Sequence, residues 1–183
     1  MAATFRQTGR KIVAIGRNFA DHAKELNNTV PKEPFFFLKP TSSYISSGQA
    51  IEIPKGVNAH YEVELAVVMG KQGRDIDPKH ADEYVGGYAL AIDMTARNVQ
   101  DQVKKQGLPW STAKGFDTFT PISEFVPKKL IQDPSDVQLW LKINDQLKQN
   151  GNTQDMIFNV STLLAHVSSI MTLEAGDVVL TGK

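Results

Sequence analysis

The sequence predicts a single domain of the mixed α/β class in which β-structure predominates. Short runs of β-branched and aliphatic residues, bounded by Gly, Pro, Asn or Asp, predict strands at residues 11–16, 62–69, 88–93, 137–143 and 177–180. Helical periodicity does not alternate regularly with these runs, which argues against a doubly wound parallel sheet. The length of 183 residues is typical of one compact domain, so we expect residues 1–183 to form one unit.

Helical character is confined to a few segments. Asn18 is a suitable cap for a helix that runs to about residue 27, and Thr95 for a second helix that ends near Gly107. Apolar residues that recur at helical spacing predict a third, amphipathic helix over residues 160–171.

Turn signals separate these elements. Asn144 and Asp145 follow the run at residues 137–143 and could turn the chain back as a hairpin. Prolines at positions 31, 34 and 40 surround three consecutive phenylalanines, which predicts a loop over residues 27–40 anchored by aromatic side chains.

Composition excludes several classes of protein. The apolar fraction of 41% and the charged fraction of 22% are ordinary for a globular domain. The 20 basic and 20 acidic residues balance, and no apolar stretch approaches the roughly 20 residues of a membrane span, so we expect neither nucleic acid nor membrane as a partner. The absence of cysteine excludes disulfides, thiolate metal sites and cysteine nucleophiles.

Motifs for nucleotide binding and serine hydrolysis are absent from the sequence. The ending G-D-V-V-L-T-G-K has one residue too many between its glycines for a phosphate-binding loop. The sequence contains no H-E-x-x-H, G-x-S-x-G or G-x-G-x-x-G motif.

Carboxylates on two of the predicted strands are the first candidates for chemistry. Glu62 and Glu64 fall on one face of a strand, roughly 6.6 Å apart, and would repel each other unless a cation lay between them. Asp93 ends the apolar run at residues 88–93. Three carboxylates without Cys or His suit a hard cation such as Mg²⁺ or Mn²⁺. The alternatives are two exposed glutamates on an edge strand and an aspartate that favours the start of a helix.

Polar residues on two predicted helices could accompany this site. Arg97 and Gln100 lie four and seven residues after Asp93, on one face of the predicted helix, and could bind a substrate carboxylate. His22 and Glu25 also share a helical face and could act as a general base with its orienting carboxylate. Such a pair is also common on protein surfaces.

Several segments, taken in order, resemble the fumarylacetoacetate hydrolase family, and specifically its mitochondrial acylpyruvase and oxaloacetate-acting branch. They are I-G-R-N-F-A-D-H-A-K-E-L at residues 15–26, F-F-F-L-K-P-T-S at 35–42, H-Y-E-V-E-L-A at 60–66, D-M-T-A-R-N-V-Q at 93–100, G-L-P-W-S-T-A-K-G-F-D at 107–117 and E-A-G-D-V-V-L-T-G at 174–182. The resemblance covers nearly the whole chain. It implies a rolled mixed β-sheet with a few flanking helices, homodimers and a mitochondrial location. The basic residues before Asp21 are only a weak transit signal, and without one we expect a cytoplasmic protein.

The resemblance also assigns roles to residues. It implies that Glu62, Glu64 and Asp93 bind Mg²⁺ or Mn²⁺, and that His22 and Glu25 activate water beside the catalytic lysine Lys114. Substrate-contacting positions by the same resemblance are Arg17, Lys39, Ser42, Arg97 and Gln100.

The implied activity is a metal-dependent reaction of a small 2-oxo acid through a stabilised enolate. The outcome is hydrolysis of an acylpyruvate, tautomerisation or decarboxylation of oxaloacetate, or more than one of these.

The family continues T-G-T-P-x-G where this chain reads Thr181-Gly182-Lys183, so we expect C-terminal strands to be missing, an apolar patch to be exposed nearby and Lys183 to lie near the metal. The alternative is a catalytically impaired short form that acts as a metal-binding or dimerisation module.

Overall fold

The computed structural model describes residues 2–19 and 31–183. Its strands, in chain order, are β1 Ile12–Gly16, β2 Phe35–Lys39, β3 Tyr44–Ser46, β4 Ala59–His60, β5 Val63–Met69, β6 Val85–Ile92, β7 Thr95–Ala96, β8 Thr120–Ile122, β9 Val126–Pro127, β10 Gln138–Ile143, β11 Gln146–Asn152 and β12 Val178–Leu180. Its α-helices are α1 Phe5–Thr8, α2 Arg97–Lys105, α3 Ser111–Lys114 and α4 Val160–Ile170. Short 3₁₀ turns lie at Ala2–Thr4, Thr41–Ser43, Pro78–Tyr84, Lys128–Leu130 and Thr153–Asp155.

A mixed eight-stranded sheet forms the centre of the described chain. Its strand order is β2-β1-β12-β5-β6-β8-β3, with β9 added beside β6. The β1–β12 and β3–β8 pairs are parallel, and the other pairs are antiparallel. The predicted class, a mixed and mainly β fold built on a rolled sheet, is confirmed.

The central strand β5 is buried along its whole length, and its two faces contribute to different cores. Val63, Leu65, Val67 and Met69 belong to a core of large apolar side chains that also contains the buried face of α4. Ala66 and Val68 face a second core, in which alanines of neighbouring strands such as Ala14 and Ala89 pack with larger residues such as Phe5 and Ile12. Because side chains alternate along a strand, Glu64 shares the face of Ala66 and Val68.

The predicted amphipathic helix and the predicted hairpin are both confirmed. Helix α4 is capped by the Asn159 side chain, which accepts a hydrogen bond from Thr162 N. Strands β10 and β11 pair in an antiparallel manner around Asn144 and Asp145, whose φ angles of 48° and 62° are typical of a tight hairpin turn.

Two local predictions are wrong. Residues 35–39 form β2 and not a loop, because Pro34 and Pro40 flank the segment and leave its own backbone free to pair with β1. Thr95 does not cap α2: the helix begins at Arg97, its cap position is Ala96, and Thr95 pairs instead with His60 in a short bridge.

Asn18 stabilises a junction between distant parts of the chain. Its Nδ2 donates to the carbonyls of Phe158 and Thr181, and its Oδ1 accepts from Phe158 N. The helix that we predicted to follow Asn18 lies outside the described residues.

Strand β12 lies in the middle of the sheet, between β1 and β5, and all of its residues are buried. The last residues of the chain therefore extend from the centre of the sheet toward the start of β5. Across the described ranges, no helix has both the length and the apolar character needed to cross a membrane.

Candidate active site

The sheet brings the three candidate carboxylates together. Glu62 precedes β5, and Asp93 follows the antiparallel neighbour β6, so that Asp93 N donates to Glu62 O at 2.8 Å. One carboxylate oxygen from each of Glu62, Glu64 and Asp93 lies within 4.8 Å of the others. The convergence follows from register, since Val63 pairs with Ile92.

Glu64 and Asp93 are both deeply buried, each with an exposed fraction of 1%. Burial raises the pKa of the Glu64 carboxyl group well above the usual range, and the nearby charges of Asp93 and Glu62 raise it further. The group is held by the backbone, because Gly182 N donates to its Oε2 at 2.8 Å.

Two buried lysines contact Asp93 from both sides. Lys39 Nζ lies 2.7 Å from Oδ1, and Lys114 Nζ bonds to Oδ2 and lies 3.5 Å from Glu62 Oε2. Burial lowers the pKa of Lys39 despite the attraction of Asp93. Burial also acts to lower the pKa of Lys114, but Asp93 and Glu62 outweigh it, so the pKa of Lys114 is raised and its ammonium is retained.

Arg97, at the start of α2, links the carboxylates to the helix. Its Nη2 donates to Glu62 Oε1 at 3.0 Å, and its Nη1 donates to Gln100 Oε1. Its Nε donates to His60 Nδ1 at 3.2 Å. Sequence reasoning missed His60, whose only signal was its place two residues before Glu62 in the quoted segment 60–66.

An aromatic wall adjoins Lys114. The Lys114 ammonium lies 4.9 Å from the ring centroid of Phe37, within cation–π range. Trp110 packs against Phe35 and Phe37 with centroid distances of 5.0 and 5.4 Å. The sequence pointed to the phenylalanines as anchors but did not place them beside the site.

The donor set fits a hard divalent cation. The ligand atoms are carboxylate oxygens, which Mg²⁺ and Mn²⁺ favour. The three acids are matched by three cationic side chains, those of Lys39, Arg97 and Lys114. The raised pKa of Glu64 indicates that the three carboxylates cannot easily all ionise together, and a bound cation would remove that penalty.

The remaining predicted site residues are less closely tied to this cluster. Arg17 lies on the bend after β1 with a left-handed φ of 57°. Ser42 is exposed on the turn after β2, whereas its neighbour Ser43 is buried and its Oγ lies 2.7 Å from Thr120 Oγ1. His22 and Glu25 lie outside the described residues.

Comparison with known proteins identifies the family. The family model described as "Fumarylacetoacetate (FAA) hydrolase C-terminal" matches residues 11–183. The chain belongs to the fumarylacetoacetate hydrolase family. It is 58% identical to a mitochondrial oxaloacetate decarboxylase of Dictyostelium discoideum over 97% of this chain and 83% of that protein. It is 56% identical to a mitochondrial oxaloacetate tautomerase of Arabidopsis thaliana over 97% of this chain and 80% of that protein.

A solved structure of the family agrees with the fold. The fumarylpyruvate hydrolase of Pseudomonas aeruginosa, determined in complex with Mn²⁺ and pyruvate, superposes with a TM-score of 0.89 at 33% identity, covering 96% of this chain and 78% of that one. The Dictyostelium and Arabidopsis relatives confirm the predictions that the chain is an enzyme of this family and that its location is mitochondrial.

Proposed function

We propose that this protein is a divalent-metal enzyme that acts on oxaloacetate, interconverting its keto and enol forms and decarboxylating it, each through an enolate at the 2-oxo group. The observation that carries the proposal is the convergence of Glu62, Glu64 and Asp93 on one point, surrounded by Lys39, Arg97 and Lys114. The names of the Dictyostelium and Arabidopsis relatives support oxaloacetate as the substrate.

The three carboxylates would hold Mg²⁺ or Mn²⁺. When bound, such an ion supplies Lewis acidity that stabilises negative charge on the 2-oxo oxygen of the substrate. The site is formally neutral before the ion binds, counting three acids and three cations, so a divalent ion gives it an excess of positive charge. A dianion such as oxaloacetate matches that excess.

The cationic residues orient the substrate. The planar Arg97 guanidinium is suited to bind a carboxylate, and its contact with Gln100 adds an amide beside it. The Lys114 ammonium, whose pKa is raised, offsets negative charge that develops as a bond at C3 breaks. Lys39 holds Asp93 in place from the opposite side. Arg17 and Ser42 complete the proposed substrate contacts.

His22 and Glu25 are proposed as the catalytic pair. In tautomerisation the imidazole takes the proton from C3, and a proton is returned to the 2-oxo oxygen to give the enol. In decarboxylation the C3–C4 bond breaks, C4 leaves as CO₂, the electron pair of that bond forms the enolate of pyruvate, and C3 is protonated afterwards. Glu25 orients and polarises the imidazole in both cases.

A second candidate is hydrolysis of an acylpyruvate. The structural similarity to a fumarylpyruvate hydrolase favours it. Here His22 would deprotonate a water that attacks the distal carbonyl, and the aromatic wall of Phe35, Phe37 and Trp110 offers apolar surface near Lys114 for the acyl group.

The test is turnover of enol-oxaloacetate, followed by its ultraviolet absorbance with and without Mg²⁺ or Mn²⁺. Lys114→Met should lower kcat by about 100-fold, as for loss of one charge-stabilising donor. Lys128→Met, which removes an exposed pair with Asp82, should leave kcat unchanged. Mn²⁺ binding without turnover of oxaloacetate or an acylpyruvate would instead support the metal-binding or dimerisation module. The homodimer implied by the family resemblance stays a prediction.

A further inference from the structure

Gln149 of β11 has an unusual pair of contacts. Its Oε1 accepts from Val63 N, and its Nε2 donates to Val63 O, both at 2.7 Å. The side chain is buried, with an exposed fraction of 8%. One side-chain amide thus satisfies both backbone groups of one residue, as a neighbouring strand would.

The position of this contact follows from the hydrogen bonds that β5 forms along the edge that faces β12. Strand β12 pairs with β5 from Ala66 to Val68. Thr181 N and Thr181 Oγ1 both donate to Leu65 O. Gln149 then forms hydrogen bonds with Val63, which is the next residue beyond Leu65 whose backbone N–H and C=O face the β12 edge of β5. The amide continues the row of hydrogen bonds where β12 has ended.

Val63 lies between two of the candidate metal ligands. Its N–H belongs to the peptide plane shared with Glu62, and its C=O belongs to the plane shared with Glu64. Fixing both groups fixes the orientation of the backbone on either side, and hence the direction in which each glutamate side chain leaves the strand. Gly182 N already restrains the Glu64 carboxylate itself.

Packing alone does not account for an amide at this position. Gln149 stands opposite Leu141 on the inward face of the hairpin, and Leu139 and Leu141 on that face pack with the core of large side chains. An apolar residue of equal length would fill the same space. It would leave Val63 N–H and C=O buried without partners, which costs free energy of folding and would allow the backbone of β5 to move at Val63.

We infer that Gln149 is a positioning residue that sets the affinity of the Glu62, Glu64 and Asp93 site for a divalent cation by holding the Val63 peptide planes. The inference rests on the proposed function. The hairpin formed by β10 and β11 is therefore part of the metal site, although none of its side chains is among the ligands.

The experiment compares the Kd for Mn²⁺ in the wild type and three variants of the full chain. Gln149→Met should raise Kd by about 10-fold to 100-fold, the range found when partners of metal ligands are removed. Gln138→Met is the matched control, since Gln138 is exposed on the same hairpin and donates to Asn150. Val167→Ala removes buried apolar volume from α4 and should lower the melting temperature while leaving Kd within about twofold.

The outcomes separate the two claims. If the wild type does not bind Mn²⁺, the proposed function is wrong and this inference falls with it. If the wild type binds Mn²⁺ and Gln149→Met binds it equally well while melting earlier, Gln149 has only a structural role and the inference alone is overturned.

A measurement on the wild type covers the case in which Gln149→Met does not fold. Nuclear magnetic resonance of the side-chain amides during titration with Mg²⁺ should show a shift of the Gln149 resonances and of the Val63 backbone amide. The Gln138 side-chain amide should not move. Unchanged Gln149 and Val63 resonances at saturating Mg²⁺ would overturn the inference.

Discussion

The buried carboxyl group of Glu64 links proton binding to metal binding. Its pKa is raised chiefly by burial and then by the charges of Asp93 and Glu62. A divalent cation binds the ionised form, so loading the site should displace a proton, and metal affinity should increase as pH rises.

The same shift predicts how the metal-free protein responds to pH. Because the pKa is higher in the folded chain, the contribution of Glu64 to stability is full below the unfolded pKa, about 4.3, and is lost as pH rises through the folded pKa. In chelator, the wild type should lose stability across this range, with a slope approaching about 1.4 kcal/mol per pH unit. Glu64→Gln should lack this loss. Parallel melting-temperature profiles for the two proteins would contradict the assignment.

The proposed role of His22 makes a separate prediction. His22→Ala should lower kcat by about 100-fold or more while leaving the Kd for Mn²⁺ unchanged, because the imidazole is assigned to proton transfer and not to the ion. His80 offers a matched control, since it forms an exposed pair with Glu83 at the same spacing of three residues, and His80→Ala should retain full turnover. Loss of Mn²⁺ binding in His22→Ala would mean that the imidazole is a ligand.

At the level of single residues, the sequence predicted which side chains share a face of a strand better than it predicted which distant side chains contact each other. Strand alternation placed Glu62 and Glu64 on one side, and the antiparallel register brought Asp93 to them. The contacts of Lys39 and Lys114 with Asp93 span 54 and 21 residues, so no local pattern encodes them. They depend on β2 and α3 reaching the same end of the sheet.

The segment after β12 is the element that ties the end of the chain to the site. Gly182 has a φ of 86°, and a Cβ there would lie 2.9 Å from Asn18 Cβ and from Ile15 O. Both the backbone conformation and the close approach therefore require glycine at this position.

Gly182→Ala tests this element. We expect a loss of about 1–2 kcal/mol from the left-handed backbone and about 1–3 kcal/mol more from the collision, together with weaker Mn²⁺ binding as Gly182 N moves from Glu64. Gly48→Ala isolates the first effect, because Gly48 has a φ of 89° with nothing within 4 Å of the added Cβ. Chemical denaturation gives both free energies of unfolding, and equal losses would contradict a close-packed role for Gly182.

Element prediction failed where backbone pairing decided the outcome. The residues of β2 looked like a proline-rich loop, but pairing with β1 along all five residues makes them a strand. Thr95 had the chemistry of a helix cap, but its backbone is used in the bridge to His60. In contrast, the α4 helix and the turn at Asn144 were predictable because periodicity and turn chemistry are local.

For the whole molecule, the sheet explains why the site lies where it does. One face of the central strands packs against α4, and the buried charges lie at the end of β5 and β6, where the register brings Glu62, Glu64 and Asp93 together. The sequence predicted the class of fold and five of the twelve strands found in the described residues, namely β1, β5, β6, β10 and β12. It could not predict that the C-terminal strand inserts between β1 and β5, because strand order depends on contacts far apart in the chain.

The most direct test of the central claim is a titration of the purified protein with Mn²⁺, followed by electron paramagnetic resonance. The wild type should bind one ion per chain, and Asp93→Asn should lose that binding, whereas Asp155→Asn, at an exposed position, should bind as the wild type does. Equal binding of Mn²⁺ by the wild type and Asp93→Asn would show that Glu62, Glu64 and Asp93 do not form the metal site.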